Sequence, residues 1–176
     1  MKKTLITSLV SASFALLAGG ASADTGKINF QGVITESACS IGGGQQGSDM
    51  IVSMGSISTN QFSAVGDRST MTDFTIALLG CDTTVAQTAS ISFKPGAGSV
   101  VGNRLLSLEN GGGAQNVAVG LVDSQGADVI VGGPAVQYGL VNGDNNFYFK
   151  AFYEATDANV VAGSANARAI FEVTYS

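Results

Sequence analysis

Cys39 and Cys81 are the two side chains of this 176-residue sequence whose type and number allow distinctive covalent chemistry. Two thiols can close a disulfide or supply half of a four-ligand metal site. The metal reading needs further ligands, and the sequence contains no histidine. The amino terminus indicates the compartment. Met1-Lys2-Lys3 is a short basic start, Leu5 to Leu17 is mostly apolar, and Ala21-Ser22-Ala23 is a small-x-small cleavage site. That is the plan of a secretory signal peptide over residues 1–23, with a mature chain starting at Asp24. In an exported chain an even pair of cysteines reads as a disulfide. Closing a loop of about 40 residues contributes roughly 4 kcal/mol in the chain-entropy account.

The other candidates for chemistry are weaker. Without histidine, neither a Ser-His-Asp nor a Cys-His nucleophile system can be built, nor a common zinc site. The 13 acidic residues could hold a carboxylate pair for glycoside hydrolysis. Their scatter over turns and strand edges reads instead as a solvating surface, and no enzyme activity and no cofactor are expected. Asp123 to Asp128 and Asn142 to Asn146 look faintly like calcium loops. Neither has the ligand spacing of an EF-hand, and both suit tight hairpin connections. Phe147-Tyr148-Phe149-Lys150-Ala151-Phe152-Tyr153 is the densest aromatic run. It could stack sugars, but tryptophan is absent, and a core strand with a partly aromatic outer face is the favoured reading.

The elements that would position these residues are short β-strands. No stretch sustains helical periodicity. Strands are expected at Lys27–Glu36, Met50–Met54, Asp73–Leu79, Ala89–Lys94, Val117–Asp123, Asp128–Val131, Ala135–Leu140, Asn146–Glu154 and Arg168–Tyr175. Glycine clusters separate them, with only 2 prolines in the chain. Many short strands between glycine turns predict an all-β antiparallel sandwich in one domain. Cleavage after Ala23 removes Lys2 and Lys3 from the 8 basic residues and none of the 13 acidic ones. Such an acidic chain repels nucleic acid and anionic lipid. The apolar run near the start is too short to span a bilayer, which takes about 20 residues, so no transmembrane segment is expected in the mature chain.

Both ends of the mature chain alternate with period two. In Asp24 to Gly32, Gly26, Ile28, Phe30 and Gly32 face one way while Lys27, Asn29 and Gln31 face the other. At the carboxyl end Ala169, Phe171, Val173 and Tyr175 share one face. The two strands could pair within one sandwich, or the first could complete another copy of the protein.

An ordered set of motifs resembles the pilin subunits of fimbriae assembled by the chaperone–usher pathway, the type 1 and P-like fimbrial proteins. Phe30-x-Gly32-x-Ile34 leads to Cys39, and Val52-x-Met54-Gly55-x-Ile57-Ser58 follows. Phe74-x-Ile76-x-Leu78-x-x-Cys81 sets the second cysteine, and Asn116-Val117-Ala118-Val119-Gly120 precedes Asp123-x-x-Gly126. The end carries Phe149-x-Ala151-x-Tyr153, Val161-Ala162-Gly163 and Ala169-x-Phe171-x-Val173-x-Tyr175, with Tyr175 penultimate.

The resemblance implies an incomplete immunoglobulin-like β-sandwich, residues 33–176, that lacks its seventh strand and is completed by donor-strand exchange. It implies that residues 24–32 are a donor arm, with Gly26, Ile28, Phe30 and Gly32 entering a neighbour's groove. Gly163, Ala169, Phe171, Val173 and Tyr175 would form the receiving edge, and the Cys39–Cys81 bridge would staple the sandwich. The implied partners are other pilin subunits in a homopolymer, a periplasmic pilus chaperone and an outer-membrane usher. The implied destination is the cell surface, reached through the periplasm. The expected function is a structural fimbrial subunit supporting cell adhesion, with the shaft subunit first. A minor adaptor or tip-joining pilin is the alternative within the family, and a self-contained secreted carbohydrate-binding sandwich the alternative outside it.

Overall fold

The computed structural model describes residues 26–29, 34, 36–109 and 113–176. The expected signal peptide, and Phe30 and Gly32 of the expected arm, lie outside the described residues. The chain divides into two units, Met1–Ile34 and Thr35–Ser176, and the sandwich is the second.

Among the described residues ten strands follow in order: β1 Ser40–Ile41, β2 Thr72–Cys81, β3 Thr88–Pro95, β4 Val100–Val101, β5 Leu105–Leu106, β6 Val117–Val122, β7 Asp128–Val129, β8 Val136–Gly139, β9 Gly143–Ala155 and β10 Ala169–Tyr175. One sheet runs β1-β2-β9-β6-β5-β4, with β7 also paired to β6, and the other runs β10-β3-β8. The described pairings are antiparallel. The inward side of β9, from Phe147 and Phe149 through Ala151 to Tyr153, is buried. Its rings pack against rings of the second sheet. Phe93 on β3 lies 5.1 Å from Phe149, edge to face, and Tyr138 on β8 lies 4.7 Å from Phe147. This aromatic layer supplies large apolar areas and fixes the spacing of the two sheets.

Cys39 and Cys81 form a disulfide that ties the chain just before β1 to the end of β2. The Asp123 loop is the β6–β7 hairpin turn, whereas the expected hairpin at Asn142 to Asn146 is instead a crossover from β8 in one sheet to β9 in the other, with Gly143 to Asn146 already in β9. Asp123 Oδ1 accepts from the Gln125 and Ala127 N–H groups, both at 2.9 Å. The Asn145 amide bonds Val141 through both its oxygen, at 2.9 Å, and its nitrogen, at 2.8 Å.

Three further expectations need correction. The described residues of the Lys27–Glu36 run are in no strand, and Ile28 and Ile34 are 77% and 102% exposed. An amphipathic segment acquires β-structure only when a sheet edge receives it. Met50–Met54 keeps the predicted alternation but forms no ladder. The outer face of β9 is aromatic to solvent only at Tyr148. Tyr148 is 60% exposed, but Phe152 is fully buried on Gly120, with Arg68 4.5 Å above its ring.

That outer cluster is a second, small core. A Cβ on Gly120 would stand 2.3 Å from Phe152 Cζ and 3.0 Å from Leu105 Cδ2. Around it, Arg68 bonds Glu154 at 3.0 Å and Asp128 at 2.7 Å, and Arg104 pairs with the same two carboxylates. The network joins the segment before β2, the β4–β5 turn, β7 and β9. The Arg68 hydrogen bond, aided by the charges of Arg68 and Arg104, holds the Asp128 carboxyl below its ordinary range.

Two measurements check this region. Gly120→Ala is expected to cost about 1–3 kcal/mol by overpacking against Phe152, read as a lower urea midpoint at unchanged slope. The lowered Asp128 pKa gives stability that is present above the unfolded value, about 3.9, and is lost as pH falls through the folded value. The wild-type urea midpoint should therefore fall more steeply below about pH 4 than that of Asp128→Asn. Parallel curves would show that Asp128 titrates alike in both states.

Candidate functional site

Strand β10 pairs with β3 in unbroken register, from Ala169 opposite Pro95 to Tyr175 opposite Ala89. Its end is held by Ser176, whose N–H donates to Thr88 O at 3.0 Å and whose carbonyl accepts from Thr88 N–H at 2.8 Å. Ser176 and Thr88 are thus a hydrogen-bonded pair, and at the other end Arg168 O accepts from Gly96 N–H at 2.8 Å. In an antiparallel ladder such pairs alternate with pairs whose backbone groups point away. The even residues Ile170, Glu172 and Thr174 therefore bond β3. The odd residues Ala169, Phe171, Val173 and Tyr175 turn N–H and C=O outward, where β10 has no further strand among the described residues. On the outer face Lys94 and Glu172 form an exposed ion pair, which lowers the Glu172 carboxyl pKa.

The same odd residues carry the apolar side chains. Phe171, Val173 and Tyr175 are half-buried against the core, while Ile170, Glu172 and Thr174 are exposed. Facing them across a gap is the extended segment 50–57. Met50, Val52, Met54 and Ile57 pack on the core, and Ile51 and Ser53 point to solvent. The Ile51 N–H is anchored by Gln45 Oε1 at 2.8 Å, and Ser58 caps the short 3-10 turn Thr59–Gln61 that follows. Among the described residues, Val52–Ile57 form no backbone ladder.

Between these walls lies an apolar groove of about 730 Å³. Its floor is Phe74, Phe93, Leu106, Val119, Leu121 and Ala151, and Arg168 and Glu109 close one rim with a 3.3 Å ion pair. A second recess of about 400 Å³ continues past Tyr153, Ala165 and Asn166 toward Ile57, Phe62, Val117 and Gly163. Tyr153 donates its hydroxyl proton to Ala165 O at 2.7 Å, fixing the junction, and burial raises its pKa. Pockets for small ligands bring a few polar groups together on one point. This groove has an apolar floor and is bordered by backbone groups with no partner among the described residues, the features that strand addition uses.

Of the residues predicted for the receiving edge, β10 brings Ala169, Phe171, Val173 and Tyr175 together. Gly163 is not on that strand. It lies in the loop that closes the second recess, where a Cβ would stand 2.4 Å from the Gly113 carbonyl carbon and 2.5 Å from Ala114 N. Ala114 N–H donates to Ser164 O at 2.8 Å, so the two backbones touch. Gly26 and Ile28 are described without regular structure. The facing wall and Gly113 were not predicted as site residues. The alternation of Met50, Val52 and Met54 was a usable signal for the wall.

A family model described as fimbrial protein matches residues 28–176. The fimbrial-like protein SfmA of Escherichia coli K12 is 33% identical over 181 residues, covering 99% of each chain. The type 1 fimbrial subunit of Salmonella typhimurium is 30% identical, covering 99% of this chain and 100% of its own. A chain in the structure of a chaperone–usher pilus, solved to explain rod uncoiling, superposes with a TM-score of 0.73 at 26% identity. It covers 90% of this chain and 100% of its own. The two open antiparallel sheets accord with the immunoglobulin-like fold of such subunits, and the family is structural rather than enzymatic. The chain belongs to the fimbrial protein family, as a pilin subunit of the chaperone–usher type.

Proposed function

We propose that the groove accepts residues 24–32 of another copy as a donor strand, and that the chain polymerises head to tail in this way as the shaft subunit of a surface fimbria. One observation carries the reading. Phe171, Val173 and Tyr175 turn half-buried side chains inward, and with Ala169 they turn outward backbone groups that have no partner among the described residues. A strand laid beside them satisfies the backbone while its own alternate side chains fill the groove.

The arm has the matching dimensions. Gly26 to Gly32 is seven residues, as is β10. Ile28 and Phe30 would supply roughly 2–3 kcal/mol each when buried. Gly26 and Gly32 would let the backbone lie close to the groove at each end. Asp24 is polar where many arms of the family begin further upstream with an apolar contact, so the central pockets carry the affinity.

Before assembly an open apolar groove beside a bare strand edge is an aggregation hazard. A periplasmic chaperone that lends a strand removes it during export, and an outer-membrane usher exchanges that strand for the next subunit's arm. A head-to-tail contact of this kind does not close, so it builds a filament. The likeness to a chain from a chaperone–usher pilus rod supports the shaft role over a minor adaptor.

Deleting Asp24 to Gln31 should leave a subunit that still binds a synthetic peptide of residues 24–32 but forms no filaments by electron microscopy. Filaments of the deleted chain would refute the donor assignment. Phe171→Ser with Tyr175→Ser should weaken binding of the same peptide by about tenfold or more, measured by fluorescence anisotropy. Unchanged binding would remove the receiving edge from the account.

A further inference from the structure

The sequence contains four methionines, and three of them, Met50, Met54 and Met71, lie beyond the expected signal peptide. Two of the three stand on one wall of the groove. Met50 and Met54 are four residues apart in an extended segment, so both point the same way, and both are half-buried and line the groove. Met71 is 46% exposed and lies outside it. Methionine suits a wall that must shape itself to an incoming side chain, because its unbranched thioether fills irregular gaps. The same sulfur is a soft nucleophile within reach of solvent while the groove is open.

We propose that Met50 and Met54 make the groove oxidation-sensitive: their conversion to sulfoxides blocks seating of a donor strand, and a seated strand shields them. The inference rests on the strand-accepting reading of the groove. With a peroxide as oxidant, a sulfur lone pair attacks one peroxide oxygen. The O–O bond breaks, an S–O bond forms, and sulfur loses two electrons. The departing oxygen takes up the protons and leaves as water. The thioether becomes a polar sulfoxide. The groove floor of Phe74, Phe93, Leu106, Val119, Leu121 and Ala151 has no side-chain donor; of the donors elsewhere in the lining, Tyr153 is committed to Ala165 O, Arg168 pairs with Glu109, and Ser53 and Asn166 are exposed. Covering the sulfoxide oxygen with a donor strand would bury an unsatisfied polar group. The step is reversible by methionine sulfoxide reductases. Oxidant would therefore disable subunits whose groove is uncovered and spare those whose groove already holds a strand.

The test treats the full mature subunit with hydrogen peroxide, with and without a saturating synthetic peptide of residues 24–32, and follows each methionine by peptide mass spectrometry. Met50 and Met54 should gain oxygen in the open subunit and be protected by the peptide, while Met71 oxidises equally in both. Peptide affinity should fall about tenfold or more after peroxide and recover with sulfoxide reductases. In a Met50→Leu/Met54→Leu variant, whatever its own affinity, the ratio before and after peroxide should be about one. In Met71→Leu the full loss should remain. Equal affinity of oxidised and untreated subunit, or equal oxidation of Met50 and Met54 with peptide bound, overturns the inference alone. Failure of the untreated subunit to bind the peptide overturns the strand-accepting reading and this inference together.

Discussion

The backbone of β10 sets the constraint on which the rest of the molecule depends. Each peptide group must find a hydrogen-bond partner or remain in water. Because side chains and hydrogen bonds both alternate with period two, the residues turned toward the core in β10 are those whose amides turn away from β3. The apolar side chains of Phe171, Val173 and Tyr175 call for cover, and the peptide groups beside them call for a ladder. One added strand meets both needs, and no described strand of this sandwich does so.

The remaining fold is braced behind that open site. Phe74 and Phe93 of the floor rest on the buried Phe149, Phe74 stacked on it and Phe93 edge-on to both rings. The disulfide shortens the excursion between Cys39 and Cys81 and so restrains the approach to segment 50–57. On the opposite side of the large sheet, Phe152 under Arg68 and the carboxylates of Asp128 and Glu154 tie β7 and β9 to the loops around them. Stability is thus placed behind the groove rather than across it.

Most strands were legible because their alternation is strong and glycine turns bound them. Cys39 with Cys81 was legible from number and export context alone. The short strands Ser40–Ile41, Val100–Val101 and Leu105–Leu106 were not, since two residues carry no period. Phe152 was read as an outer-face aromatic because alternation gives direction but not cover. The cover comes from Arg68, 84 residues away in the sequence, and from the missing side chain at Gly120. Gly163 was placed with the receiving edge by resemblance, whereas its reason is a backbone contact with Gly113 and Ala114 that no local pattern reveals. The wall at 50–57 looked like an ordinary strand because its pattern is that of one. What it lacks is a neighbour, and a neighbour is not written in the segment itself.

If a donor strand completes the sandwich, the odd-numbered peptide groups of β10 are vacant in the single subunit and filled in the polymer. Residue-resolved hydrogen exchange measures this directly. In the isolated subunit the amides of Ile170, Glu172, Thr174 and Ser176 should exchange slowly, and those of Ala169, Phe171, Val173 and Tyr175 fast. In assembled filaments both sets should be slow. Uniform protection of all eight in the isolated subunit, or odd-numbered amides that stay fast in filaments, would contradict the account.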